Sequence, residues 1–293
     1  MILRTLTDKG LISPPKFVKG NTHYLTYMGS LAYGCATEKS DYDVYGFCIP
    51  PKEVIFPHLA GKVQGFGSNH DRFSQWQQHH IKDLDGQKEY DFTIYNIVDY
   101  FNLLMQNNPN MLDSIFTPIN CVIHCSQIGE MVRANRKKFL SKLCFPKLKG
   151  YAYSQLQKCK NAVRIGKRAE LIEAMGWDSK SGSHVCRLVL ECEQILMEGD
   201  LDLQRNNKQL IAIRNGEWTF DQLQNFFNEK ERQLEDLYVK SNLQPTPNEE
   251  EIKELLLNCL EHHYGSLDKC VVKEDVYISA LKRISKILEE TKL

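Results

Sequence analysis

The chain has 293 residues, of which 37 are basic and 37 acidic, and its apolar share is 42%. That length can bury a sizeable core and commonly holds more than one structural part, whereas the balanced charge excludes a global field that would draw the whole protein onto nucleic acid, so any polymer contact must be a local patch. Ten cysteines are scattered without regular spacing inside apolar runs, which reads as reduced, buried thiols rather than a disulfide framework.

The first residues, Met1 to Lys9, carry no long apolar run, and nowhere does an apolar window approach the roughly 18 residues a membrane helix needs. A cytoplasmic protein with no membrane contact is therefore expected. The first strong signal is a strand-like Tyr24-Leu25-Thr26-Tyr27-Met28, followed by Gly29-Ser30, a short helix, and then Asp41-Tyr42-Asp43 leading into a second strand, Val44 to Ile49. Carboxylates at i and i+2 of a strand project from one face, so Asp41 and Asp43 can share a divalent metal while Tyr42 points into packing. Mg²⁺ takes hard oxygen ligands, typically one or two carboxylates plus substrate phosphates. Gly29-Ser30 supplies the turn for those phosphates: glycine permits close backbone approach, backbone N–H groups face the anion, and the Ser30 hydroxyl is placed to donate to a phosphate oxygen. A polar turn rich in Asp and Ser is the plainer alternative.

Residues 52–85 are expected to be irregular, interrupted by Pro57, Gly61, Gly65 and Gly67 and carrying His58, His70, His79, His80, Phe73 and Trp76. Asp91-Phe92-Thr93-Ile94-Tyr95 reads as a strand, and Ile97, Tyr100, Phe101 and Leu104 repeat at helical spacing before Asn107-Asn108-Pro109-Asn110 breaks the pattern and Met111, Leu112, Ile115 and Phe116 begin another helix. Cys121 and Cys125 around His124 lack a second pair and are assigned to packing. From about residue 127 helical periodicity dominates, over 131–140, 151–167, 183–198, 219–239, 249–260 and 275–288. The expected architecture is α+β: a small mixed-sheet catalytic domain over 1–126 followed by a helical bundle over 127–293, with the substrate cleft between them.

Two basic groupings lie in the second part. Arg133, Arg136, Lys137, Lys138, Lys142, Lys147, Lys149, Lys158, Lys160, Arg164, Lys167 and Arg168 gather at the junction, where they either share one side and hold a polynucleotide backbone or simply solvate amphipathic helices. Lys180, His184 and Arg187 are spaced by four and three, which places them on one helical stripe. Such a stripe either binds a triphosphate, to which the arginine fork is well suited, or is an ordinary helix face with Arg187 paired to Glu191.

The string Gly29-Ser30-x-Ala32-Tyr33-Gly34, then Thr37, then Ser40-Asp41-x-Asp43-x-x-Gly46 resembles the DNA polymerase β-type nucleotidyltransferase superfamily, and within it the bacterial and phage nucleotidyltransferases that include RNA-ligase-associated polymerases. The likeness continues through Asn108-Pro109-Asn110 and through Gly176-Trp177-Asp178-x-Lys180-x-x-x-His184-x-x-Arg187, spanning about residues 25–220. The resemblance implies a third carboxylate on a later strand, for which Asp91 is the candidate and Glu89 the nearby rival. It also implies Lys180, His184 and Arg187 on the triphosphate tail, and a Mg²⁺- or Mn²⁺-dependent transfer of a nucleoside monophosphate from a triphosphate such as ATP to a hydroxyl. The expected acceptor is an RNA 3′ end in RNA repair. A protein hydroxyl is the alternative acceptor, and a noncatalytic nucleotide-binding regulator is the alternative class.

Overall fold

The computed structural model of the protein describes residues 2–38, 40–61, 72–86, 88–160, 172–173 and 175–267, together with Leu281 and Ile284. Two short helices, α1 (Ile2–Asp8) and α2 (Lys16–Asn21), lead into β1 (Thr22–Tyr27). A single helical turn, α3 (Gly29–Ala32), follows, then β2 (Tyr42–Cys48) and another turn, α4 (Lys52–Ile55). Strands β3 (Gln75–Lys82) and β4 (Glu89–Asn96) run antiparallel, then come α5 (Ile97–Met105), α6 (Pro109–Phe116) and β5 (Val122–Cys125). The rest is helical: α7 (Gln127–Ala134), α8 (Cys144–Lys160), α9 (Ser179–Glu198), α10 (Asn207–Arg214), α11 (Phe220–Lys240) and α12 (Glu249–Tyr264).

The five strands form one mixed sheet in the order β3-β4-β2-β1-β5, in which β2 and β4 are parallel neighbours and the other pairs antiparallel. Strand parity sorts the side chains. Leu25, Val44, Cys48, Phe92 and Ile94 face α1 and α2, packing with Leu3, Leu6 and Val18. Tyr24, Phe47 and, less deeply, Tyr45 and Tyr95 face the opposite way, into a core shared with Ile97, Tyr100, Met111 and Ile115. That same core runs without a break into the helical part, through Leu148, Leu188, Ile195, Phe227 and Leu260. The α+β architecture expected from the sequence is observed, and residue 126 falls between β5 and α7.

Helix starts follow local chemistry. Asn96, Asn108, Ser126, Asp178, Thr219 and Asn248 each accept a backbone N–H of their helix's first turn, satisfying donors that have no partner inside the helix. Two expectations need correction. Residues 75–82, expected to be irregular, form the edge strand β3. Exposure alternates from Gln75 to Gln78 before the register shift interrupts it, but the half-buried positions there are Trp76 and Gln78, so no apolar alternation marks the strand. The helix expected over 131–140 is instead α7, ending at Ala134, followed by a 3₁₀ turn over Arg136–Phe139. Most of the helix expected over 275–288, residues 161–171, and His70, Gly65 and Gly67 lie outside the described residues.

Gly46 shows how tightly β1 and β2 approach. A Cβ there would stand 1.9 Å from the Tyr24 carbonyl oxygen. Gly46→Ala is therefore expected to destabilise the fold by about 3 kcal/mol, as overpacking against immovable backbone does, lowering the thermal midpoint by several degrees in a melting experiment.

Candidate active site

The site is built where β1 ends beside β2. The Met28 N–H donates to the Asp43 carbonyl at 2.8 Å, extending the ladder one residue beyond Tyr27↔Val44. The chain then turns sharply at Gly29, whose φ is +62°, a left-handed conformation that glycine adopts at little cost. A Cβ on Gly29 would lie only 2.2 Å from Asp43 Oδ2, so the carboxylate rests in the space a side chain would fill. Ser30 opens the short α3 turn, is half-buried, and its carbonyl accepts the Cys35 N–H at 2.8 Å.

Asp41 is exposed just before β2, and Asp43 is half-buried on the strand. Asp43 stands opposite Asp91 in the parallel β2–β4 ladder. On the other face Tyr42 packs against Tyr27 and Tyr90, as the strand parity requires. Burial pushes the Asp43 carboxyl up to about 6, with Asp91 and then Asp41 adding to the rise while Lys180 and His79 oppose it. Those neighbours define the charge environment of the site: three carboxylates, one lysine and one histidine.

Asp91 is held by a device that sequence reading passes over. Strand β3 carries a register shift between Gln78 and Ile81, and within it His80 takes φ +56°. The bulge turns the His80 N–H onto Asp91 Oδ1 at 2.7 Å and brings His79 Nδ1 to 3.6 Å from the same oxygen. Bulges commonly re-aim groups beside active sites. Glu89 instead accepts from or pairs with the His80 ring, at 2.7 Å. Of the two candidates for a third acid, Asp91 is the one facing Asp43.

Among the described residues, no three His, Cys, Asp or Glu side chains are gathered into a ready-made metal cage. Asp43, Asp91 and Asp41 are nevertheless the oxygen set that could hold a hard divalent cation together with phosphate oxygens of a substrate. Their mutual repulsion at Asp43 is the charge such a cation would neutralise.

The cationic side comes from α9. Asp178 caps it by accepting the Ser181 N–H at 3.0 Å, and Trp177 closes against Gly182, where a Cβ would meet the indole at 2.3 Å. Lys180 is exposed on the first turn and lies within electrostatic reach of Asp43, and His184 is half-buried one turn later.

This geometry stands on a chain whose residues 16–258 match the RNA repair pathway DNA polymerase beta family. The chain belongs to that family. No curated protein matches it. The family match runs from α2 into α12, so the sheet, the Gly29-Ser30 turn and α9 all fall within it, in agreement with the polymerase β-type likeness of the motifs.

Arg187, expected on the triphosphate beside Lys180 and His184, is placed differently from them. Its guanidinium is turned into the core, 4% exposed, where Nη1 donates to Asp113 Oδ2 at 2.5 Å and to both Glu191 carboxylate oxygens at 3.0 Å. Its charged plane lies 4.2 Å from the Tyr33 ring centre, and the Tyr33 hydroxyl donates to the same Asp113 oxygen at 2.6 Å. Burial pushes the Glu191 carboxyl up to about 8 and raises Asp113 as well, while the Arg187 charge opposes both. Removing one partner from such a set costs about 3–5 kcal/mol. The Arg187–Glu191 pairing was visible as i, i+4 spacing; the Asp113 and Tyr33 partners were not.

The junction cations do not form one open stripe. Arg133 donates to the Tyr24 hydroxyl and to the Ile115 and Thr117 carbonyls, and Arg136 lies over the Phe116 ring. Lys137 pairs with Asp200, Lys138 with Glu251, and Lys149 with Glu231 and Glu235. Lys147 and Lys158 are exposed. Arg164, Lys167, Arg168 and the Lys160 side chain lie outside the described residues. Among the described residues, no helix is long and apolar enough to cross a membrane.

Two outcomes test the site. Gly29→Ala should abolish activity while leaving a folded protein by circular dichroism, because the new methyl must displace the Asp43 carboxylate. The second concerns pH. Because the Asp43 carboxyl holds its proton better folded than unfolded, the stability it contributes is fullest below the ordinary carboxylate range and is lost as pH rises through about 6. In metal-free protein, Asp43→Asn should therefore gain thermal stability relative to the unmodified chain as pH is raised from about 4 to 7, and added Mg²⁺ should raise the melting temperature of the unmodified chain only.

Proposed function

We propose that the protein is a metal-dependent nucleotidyltransferase that moves a nucleoside monophosphate from a nucleoside triphosphate to the hydroxyl of an RNA 3′ end, releasing pyrophosphate. The observation that carries this reading is the placement of Asp43 against Gly29 and opposite Asp91, with Lys180 of α9 within electrostatic reach. The RNA part rests on the family description, which assigns the fold to an RNA repair pathway.

In this mechanism Asp41, Asp43 and Asp91 would hold Mg²⁺ or Mn²⁺. Such an ion supplies charge neutralisation between attacking and leaving oxygens. The chain's own residues do the rest. The Gly29-Ser30 turn receives the triphosphate, with backbone N–H groups and the Ser30 hydroxyl donating to phosphate oxygens. Lys180 and His184 take the outer phosphates and offset their charge. Asp91, oriented by the His80 N–H, accepts the proton of the attacking hydroxyl or aligns that hydroxyl. Positioning and electrostatics provide most of the acceleration in phosphoryl transfer, so none of these groups needs to form a covalent intermediate with the nucleotide.

The test incubates purified protein with each labelled triphosphate, Mg²⁺ or Mn²⁺, and total RNA or a lysate. Label in nuclease-sensitive material is the expected result, lost by about 10³-fold or more in Asp41→Ala and Asp43→Ala. Label only in protease-sensitive material would assign a protein acceptor. Label in neither would leave a nucleotide-binding regulator.

A further inference from the structure

Three stretches that stand apart in the sequence meet at one buried cluster, and each contributes one side chain. Tyr33 closes the Gly29-Ser30-Leu31-Ala32 turn, Asp113 follows the Asn108-Pro109-Asn110 helix start, and Arg187 ends the Lys180, His184 stripe of α9. We propose that Arg187, Asp113 and Tyr33 are positioning residues for nucleotidyl transfer, fixing the rotation and height of α9 so that Lys180 and His184 stand at the Gly29-Ser30 turn and Asp43. The inference rests on the reading of Lys180 and His184 as triphosphate ligands.

The geometry leaves the two sides little freedom to move separately. A single oxygen, Asp113 Oδ2, accepts both the Tyr33 O–H and an Arg187 N–H, while the face of the Tyr33 ring lies on the guanidinium. Tyr33 in turn donates its backbone N–H to the carbonyl of Gly29 at 3.2 Å, the residue against which the Asp43 carboxylate rests. On α9, Glu191 accepts from Arg187 on the same face. Arg187 lies two helical turns beyond Lys180 and one beyond His184, so all three share a face and a rigid axis; about 10 Å separates the ends of the stripe. A slide or roll of the helix at Arg187 is therefore delivered to Lys180 undiminished.

The composition of the cluster points the same way. A buried ion set is seldom the best filling for a core, since apolar side chains of similar volume hold it as well. What apolar groups lack is direction, which shared hydrogen bonds supply. Nor is the cluster what keeps α9 attached. Arg214 separately joins the Cys35 carbonyl and the Ser183 hydroxyl, at 2.9 and 3.2 Å, and Val185, Leu188, Val189 and Cys192 are buried in the core. Losing the cluster should thus shift α9 rather than release it.

The experiment is a double-mutant cycle read on triphosphate affinity, by titration with a fluorescent nucleoside triphosphate, and on KM and kcat. Lys180→Met, Arg187→Met, Tyr33→Phe and the two pairs with Lys180→Met are compared, with thermal melting to confirm folding. Tyr33→Phe keeps the ring and removes one hydrogen bond, so it carries the test if Arg187→Met does not fold. Arg187→Met is expected to weaken triphosphate binding and raise KM by about tenfold, and Tyr33→Phe to do so by a few fold. Both losses should largely vanish when Lys180 is already methionine, because coupled residues are non-additive. Full additivity, or a lower melting temperature with unchanged affinity and KM, would reduce the cluster to a merely structural role and overturn the proposal. Failure of the unmodified protein to bind any triphosphate would sink the functional reading instead, which separates the two outcomes.

Discussion

The site depends on one missing methyl group. Because Gly29 has no Cβ, the Asp43 carboxylate can lie against the main chain at the place where β1 turns into α3, and the Met28 N–H to Asp43 carbonyl bond keeps the two segments in register. Any larger residue at position 29 would need both a strained left-handed backbone and a displaced acid. The parallel pairing of β2 with β4 then sets Asp91 opposite Asp43, and α9 brings Lys180 within electrostatic reach of it. Each later element adds to a position that the glycine turn has already determined.

The same crowding is an electrostatic liability. Desolvation and two neighbouring acids raise Asp43 well above the ordinary carboxylate range, only partly offset by Lys180 and His79. Carboxylates held together against their preference are a common mark of a functional site. The bulge in β3 belongs to this arrangement: a left-handed histidine on an exposed edge strand is unfavourable by itself, but it aims a backbone donor at Asp91. Stability is spent at the site and recovered in the two cores on either side of the sheet.

How much of this could be read beforehand varied with distance along the chain. Gly29 and Asp43 fall within one short segment, where strand parity and turn chemistry act locally, so their approach was legible. Asp91 was named ahead of Glu89 from the sequence, whereas its position opposite Asp43 depends on the β2–β4 register, which no spacing reveals because the partners are joined through a crossover containing β3. That strand itself was hidden by its exposed glutamines and histidines, which give no apolar alternation to detect. Arg187 illustrates the opposite limit. Its helical spacing put it on a stripe with Lys180 and His184, yet the stripe passes from solvent into the core along its length, and only tertiary contacts with Asp113 and Tyr33 reveal which end is which.

The unbroken apolar cluster from Tyr24 and Phe47 to Leu188 and Leu260 has a mechanical consequence. Two bodies that close by swinging about a hinge need a seam where few buried side chains interdigitate. Here the sheet and the helices share their interior, so opening them as rigid halves would tear a packed core. A change in the shape of the site is therefore confined to side chains and surface segments around a shared packed interior.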